Sequence, residues 1–199
     1  MLRRLLEGKG ASSGFYVDVG AHHPIRFSNT YYFYERGWRG INVEPAPNAI
    51  AQFDRIRPRD VNVALGVAEA PGRMTYYVFD EQALNTFDAA LARDREASTP
   101  YHVVRTETVA VERLEAILRD KLPPGQAIDF MSIDVEGLDL QVLRSNDWAA
   151  YRPQFVLAEA LGFRLEQAAQ HPLHQFMHDV GYELVAKTLN TLFYQRLTQ

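Results

Sequence analysis

The run Gly14-Phe15-Tyr16-Val17-Asp18-Val19-Gly20-Ala21-His22-His23-Pro24 constrains the fold more than any other part of the chain. Its apolar residues stop at an acid and then a glycine. That is the pattern of a buried β-strand reaching the carboxyl edge of an open α/β sheet, where the chain turns over and a ligand can sit. A lone carboxylate, Asp18, within an apolar strand is costly unless a cationic or hydroxyl-bearing group at the strand end offsets it. Gly20 lets the backbone turn and approach a ligand without a Cβ in the way. A dinucleotide site would need two further glycines in G-x-G-x-x-G order. Here those places hold His22 and Ile25, and Pro24 removes an amide, so a phosphate cradle is not expected. A positively charged ligand without phosphates fits better, and S-adenosylmethionine, with its sulfonium and ammonium groups, is one.

A chain of 199 residues with 47% hydrophobic content is the size of one α/β domain with a substantial core, and a single domain is expected over 1–199. The formal charge of -4 provides no basic stripe for nucleic acid. Arg55, Arg57 and Arg59 cluster locally and read as a solvated loop. The absence of cysteine excludes a disulfide scaffold, a thiolate metal site and a thiol nucleophile. No apolar run approaches the roughly 20 residues of a membrane span, and the segment from Met1 to Gly10 is too briefly apolar for a secretory signal. A cytoplasmic protein is expected, and an oligomer is compatible with the composition.

Residues 1–13 read as a short leading helix and a linker through Gly8-Lys9-Gly10. After the first strand, Ser28 is placed to cap a helix from Asn29 to Arg36, with Gly37 to stop it. A second strand, Ile41-Asn42-Val43, ends at Glu44-Pro45. An acid at that tip is where nucleoside-binding α/β folds hold a ribose diol, and Pro45 ends the strand abruptly. Val61 to Gly66 reads as a third strand and turn, and Met74 to Phe79 as a further strand on which Tyr76 and Tyr77 point to opposite sides. Residues 80–104 break the α/β rhythm and read as a substrate-facing insertion or cover. Glu107 to Val111 forms the next strand and leads into a helix from Arg113 to Leu122. Ile128 to Ile133 is then a buried strand whose tip carries Asp134 and Glu136, and Phe155 to Ala158 is another, ending at Glu159. A helix from His171 and two closing strands complete the chain. Asp18, Glu44, Asp134 and Glu159 would together form one acidic rim.

Five short motifs carry a family resemblance. They are Tyr16-Val17-Asp18-Val19-Gly20-Ala21; Ser28-Asn29-Thr30 with Gly37-Trp38-Arg39-Gly40 and Val43-Glu44-Pro45; Asn62-Val63-Ala64-Leu65-Gly66; Ile133-Asp134-Val135-Glu136-Gly137; and Asn190-Thr191-Leu192-Phe193-Tyr194. In this order they resemble the FkbM-type S-adenosylmethionine-dependent methyltransferases, over residues 14–196. The resemblance implies a doubly wound, mostly parallel, seven-stranded Rossmann-like sheet with an antiparallel last strand, as in class I methyltransferases. It also implies methyl transfer to a hydroxyl of a sugar or natural-product scaffold. Pro24, where many members carry another glycine, implies a stiffer loop. By position, the resemblance puts Asp18, Gly20 and Ala21 along the methionine portion of the cofactor and Glu44 on the ribose. It puts Asn62 and Val63 beside the adenine, and Asp134 at the methyl-donor end with Glu136 behind it.

An alcohol is a poor nucleophile, so its proton must be removed as the methyl group moves in line. The candidate bases are Asp134, Glu136, Glu159 and His22. The three carboxylates could act directly or could hold Mg2+. His171, His174 and His178 have ligand-like spacing but lack the glutamate of an H-E-x-x-H motif, and they are not read as a metal site. The expected partner is a small hydroxylated acceptor, with no nucleic acid and no membrane span. Competing readings are a non-catalytic cofactor-binding module and a nicotinamide oxidoreductase, the latter disfavoured by the missing glycines.

Overall fold

The first strand, β1 (Phe15–Val19), is buried along its whole length, which requires cover on both faces and a neighbour at each edge. A computed structural model, describing residues 2–6, 13–46 and 48–197, supplies both. In chain order, α1 (Leu2–Leu6) precedes β1, and α2 (Tyr31–Tyr34), β2 (Arg39–Val43), α3 (Ala49–Ile56) and β3 (Val61–Val63) follow. Next come β4 (Gly66–Val67), β5 (Gly72–Phe79), a 3-10 turn at Gln82–Leu84, α4 (Ala89–Ser98) and β6 (Val103–Glu112). The remainder is α5 (Leu114–Lys121), β7 (Phe130–Ile133), α6 (Asp139–Arg144), β8 (Phe155–Glu159), α7 (Pro172–Asp179), β9 (Tyr182–Lys187) and β10 (Thr191–Arg196).

The main sheet has seven strands in the order β3-β2-β1-β7-β8-β10-β9. β1 pairs in parallel with β2 on one side and β7 on the other. β10 is antiparallel to both β8 and β9, as the resemblance implied. The winding direction reverses at β1, so a crevice opens beyond the carboxyl ends of β1, β2 and β7. Strand alternation decides what faces that crevice. Phe15, Val17 and Val19 join a core with Met131, Leu118 and Met177, whereas Tyr16 packs on the other face with Phe33, Trp38 and Phe130. Asp18 shares the face of Tyr16, the face from which Thr30 reaches its carboxylate.

Four readings change. Val61 to Gly66 is not one strand: β3 ends at Val63, and β4 belongs to a separate three-stranded sheet, β4-β6-β5. The strand expected over Glu107 to Val111 runs from Val103 to Glu112, because it pairs with the whole of β5. The helix after β1 is one turn, Tyr31–Tyr34, with Thr30 at its N-cap position. Ser28 Oγ accepts from the amides of Thr30 and Tyr31, while the Thr30 hydroxyl is diverted to Asp18. Lastly, Arg57 is 0% exposed and is not part of a solvated loop. The linker expected around Gly8-Lys9-Gly10 lies outside the described residues. Among those described, no helix is long and apolar enough to cross a membrane.

Candidate active site

Gly20 is where β1 meets the crevice. It has φ +76°, a region that disfavours a side chain, and a Cβ there would lie 1.8 Å from the carbonyl oxygen of Asp134. The amides of Gly20 and Ala21 donate to Val43 O (2.9 and 3.2 Å), which lays this turn over the end of β2. His22 also has positive φ, 53°, and its amide donates to Glu44 Oε2 at 2.7 Å. Glu44 Oε1 accepts from the amide of Ala46, also at 2.7 Å. The Glu44 carboxylate is therefore fixed by two amides and keeps further lone pairs for a ligand.

A cavity of about 270 Å³ occupies the crevice. Asp18, Gly20, Ala21, His22, Glu44, Pro45, Asp134 and Glu136 all line it, so the structure brings these sequence-selected residues together. Asn62, Val63 and Glu159 do not line it. Asn62 faces Asn42 and Asp54, accepting from the Asn42 amide at 2.8 Å and donating to Asp54 at 2.9 Å. The Val63 side chain belongs to the core, and its carbonyl accepts from the Glu44 amide. The wall beyond β3 is formed by Leu65, Gly66 and Val67, with Tyr76 and Phe87 from the small sheet and its following loop. The motifs gave no signal for Tyr76, Asn85, Phe87 or Phe27. The alternation reading of Tyr76 and Tyr77 is consistent with the burial of Tyr76 and the partial exposure of Tyr77.

Asp134, Glu136 and Glu159 present carboxylate oxygens within 4.8 Å of one another at the tips of β7 and β8. Burial, followed by the neighbouring Glu136 carboxylate, pushes Asp134 up to about 7. Burial and then the charges of Asp134, Glu136 and Asp139 push Glu159 up to about 9. Burial raises Glu44 to about 7 against its two amide hydrogen bonds. Burial also raises Asp18, while it lowers the imidazole of His22. Carboxyls poised near neutrality at a cleft are suited to proton transfer. Glu136, in the left-handed region at φ 54°, is ion-paired with Arg95 of α4. Its carbonyl accepts from Thr86 Oγ1 at 2.8 Å. Segment 80–98 is thus tied to the acidic cluster, and Arg26 adds an ion pair with Glu81 at 2.9 Å.

The residues fit a nucleoside sulfonium: a glycine turn that a Cβ would obstruct, a fixed acid with free lone pairs at the β2 tip, and a buried His22 Nε2 without a hydrogen-bond partner. The three hard carboxylates also fit a Mg2+-type ion in donor chemistry, and Glu159 Oε2 is buried without a partner. Arg95 already supplies one positive charge there. His174 is bonded to the hydroxyl of Tyr194, and His178 is exposed.

Arg95→Met is expected to destabilise the protein by about 1–2 kcal/mol, because Glu136 loses its counter-charge in a partly buried place. This amounts to a melting-temperature loss of roughly 4 °C. The double variant Arg95→Met/Glu136→Gln should recover most of the loss in a scanning-fluorimetry cycle; strictly additive losses would show that the pair is not coupled.

An open sheet of this order, with a carboxylate-lined cavity over its reversal point, defines a doubly wound α/β protein of the class I methyltransferase type. Residues 18–184 match the model of the methyltransferase FkbM domain. The chain belongs to this family. Among solved structures it is similar to methyltransferase FkbM from Methylobacillus flagellatus KT, at 16% identity and a TM-score of 0.48. That match covers 92% of this chain and 44% of the other. No curated protein matches the chain in sequence.

Proposed function

We propose that the protein is an S-adenosylmethionine-dependent O-methyltransferase acting on a hydroxyl of a small molecule such as a saccharide or sugar-bearing metabolite. One observation carries the reading: the acids at the tips of β1, β2 and β7 open on the same cavity as the Gly20 turn. The cofactor, when bound, supplies an electrophilic methyl group on a cationic sulfur. The residues of the chain do the rest. Glu44 accepts from a ribose diol through its free lone pairs. Asp18 offers negative charge to the ammonium end, and the partnerless Nε2 of His22 offers a further polar contact. Asp134 takes the acceptor proton, its carboxyl being matched to neutral pH. Glu159, protonated at that pH, lies beside Asp134 and Glu136 without adding a further negative charge to the cluster. Asp134, Glu136 and Glu159 would hold a divalent cation where one is used, and the ion would lend Lewis acidity to the hydroxyl. Residues 80–104 serve as the substrate-side cover, a role supported by Gln82, Ala83 and Asn85 in the cavity wall.

S-adenosylhomocysteine at about 100 times its Kd is expected to stabilise the protein by roughly 2.7 kcal/mol, raising the melting temperature by about 5–10 °C. Glu44→Ala should remove most of this rise. An unchanged melting curve of the unaltered protein at saturating ligand would overturn the cofactor assignment.

A further inference from the structure

Arg57 is a fully buried guanidinium with no place in the motifs. Burying a charge is costly, and an apolar side chain could fill a space walled by Phe53, Tyr31 and Tyr34. Its acidic neighbour Asp60 lies 3.9 Å away. The Asp60 carboxylate is already engaged by the Tyr16 hydroxyl (2.6 Å), the Asn42 amide and the Gly40 amide (both 2.9 Å). The short hydrogen bonds of Arg57 run elsewhere. Nε and Nη2 both donate to the carbonyl of Pro24, Nη2 also donates to Ser28 Oγ at 2.6 Å, and Nη1 donates to Thr30 Oγ1 at 2.7 Å. All three acceptors belong to the loop between β1 and α2. Within that loop Phe27, Ser28 and Asn29 line the cavity. Thr30 Oγ1 has a single proton and donates it to Asp18 Oδ2 at 2.6 Å, so the guanidinium, the hydroxyl and the carboxylate form one directed chain. Phe27 is held at φ 57°, a strained conformation for a bulky residue, which the surrounding hydrogen bonds must maintain.

We infer that Arg57 is a positioning residue for the ligand cavity: through Pro24, Ser28 and Thr30 it sets the β1–α2 loop, and through the Thr30 hydroxyl it aims the Asp18 carboxylate. This rests on the cavity being the S-adenosylmethionine site only for its effect on affinity, and the placement of the loop is measured separately. Thr30→Val removes the relay hydroxyl at nearly constant shape, Thr30→Ser restores it, and Arg57→Lys replaces three-way donation by a point charge. Amide hydrogen exchange over residues 25–31 and calorimetric titration with S-adenosylhomocysteine are run on each variant, and melting temperature is measured without ligand. Thr30→Val and Arg57→Lys should accelerate exchange in the loop tenfold or more relative to the sheet strands and should weaken S-adenosylhomocysteine at least tenfold. Thr30→Ser should stay within threefold of the unaltered protein in both measurements. Loop exchange that stays unchanged in Thr30→Val and Arg57→Lys would overturn the proposal whatever the ligand does. So would an affinity kept within twofold while only the melting temperature falls. Accelerated loop exchange in the variants of a protein that does not bind S-adenosylhomocysteine would uphold the positioning role and refute the cofactor reading instead.

Discussion

Gly20→Ala is expected to abolish S-adenosylhomocysteine binding and to lower the melting temperature by about 10 °C. Two costs combine. A side chain at φ +76° costs roughly 1–2 kcal/mol. The added Cβ would also sit 1.8 Å from the Asp134 carbonyl oxygen, a backbone atom that cannot rotate away. Relief would require the tips of β1 and β7 to part, yet the Asp134 amide is bound to Val19 O at 3.0 Å. Overpacking of this kind adds about 1–3 kcal/mol. Gly125→Ala is the control, because Gly125 has nearly the same φ, +73°, with nothing within 4 Å of its Cβ position. It should lose only the conformational part, roughly 1–2 kcal/mol. Equal losses in the two variants, measured by thermal denaturation, would refute the close approach of the strand tips as the reason for glycine at Gly20.

Glu159→Gln is expected to raise the melting temperature at pH 8 by about 4–8 °C while lowering methyl transfer to the acceptor used by the unaltered protein. Glu159 is 8% exposed, its Oε2 lacks a partner, and its carboxyl is pushed up to about 9. A carboxyl whose pKa is raised on folding binds its proton more tightly in the native state. Its contribution is therefore present in full at low pH and is lost as pH rises from the ordinary carboxylate range toward about 9. Because Asp134 and Asp139 titrate with it, the penalty at pH 8 is set at about 2 kcal/mol, well below what an isolated group would give. Glutamine remains neutral and avoids it. At pH 5 the two proteins should melt within about 1 °C of each other. The variant should retain part of the pH slope, because Glu44, Asp134 and Asp139 are raised as well. A difference of the same size at pH 5 and pH 8 would show that Glu159 is not held protonated in the native protein. A stabilised but slower variant is the expected mark of an acid retained for chemistry at the expense of stability.

Much of the cavity was legible because its signals are local. Asp18, Glu44 and Asp134 each end an apolar run, and in a parallel sheet the ends of such runs fall on one edge; Glu159 ends a fourth run beside Asp134 but does not line the cavity. Other features were not legible, because they are pairings between distant residues. Arg95 meets Glu136 across 41 positions, and nothing in α4, whose sequence reads as a polar helix, announces a partner in the β7–α6 loop. Arg57 stood among charged neighbours and looked solvated, yet its side chain turns inward to a carbonyl 33 residues earlier. Asn62 occupies the motif position expected, but in β3 it pairs with Asn42 of the neighbouring strand, so its amide faces away from the cavity.

By itself the sequence determined the buried strands of the main sheet, their acidic ends and the glycine turn, because these follow from hydrophobic period and local backbone freedom. The tertiary structure alone decided which side chains share the cavity, which carboxyls stay protonated and which charge is buried. Those outcomes depend on desolvation and on contacts between segments that only the folded sheet brings together.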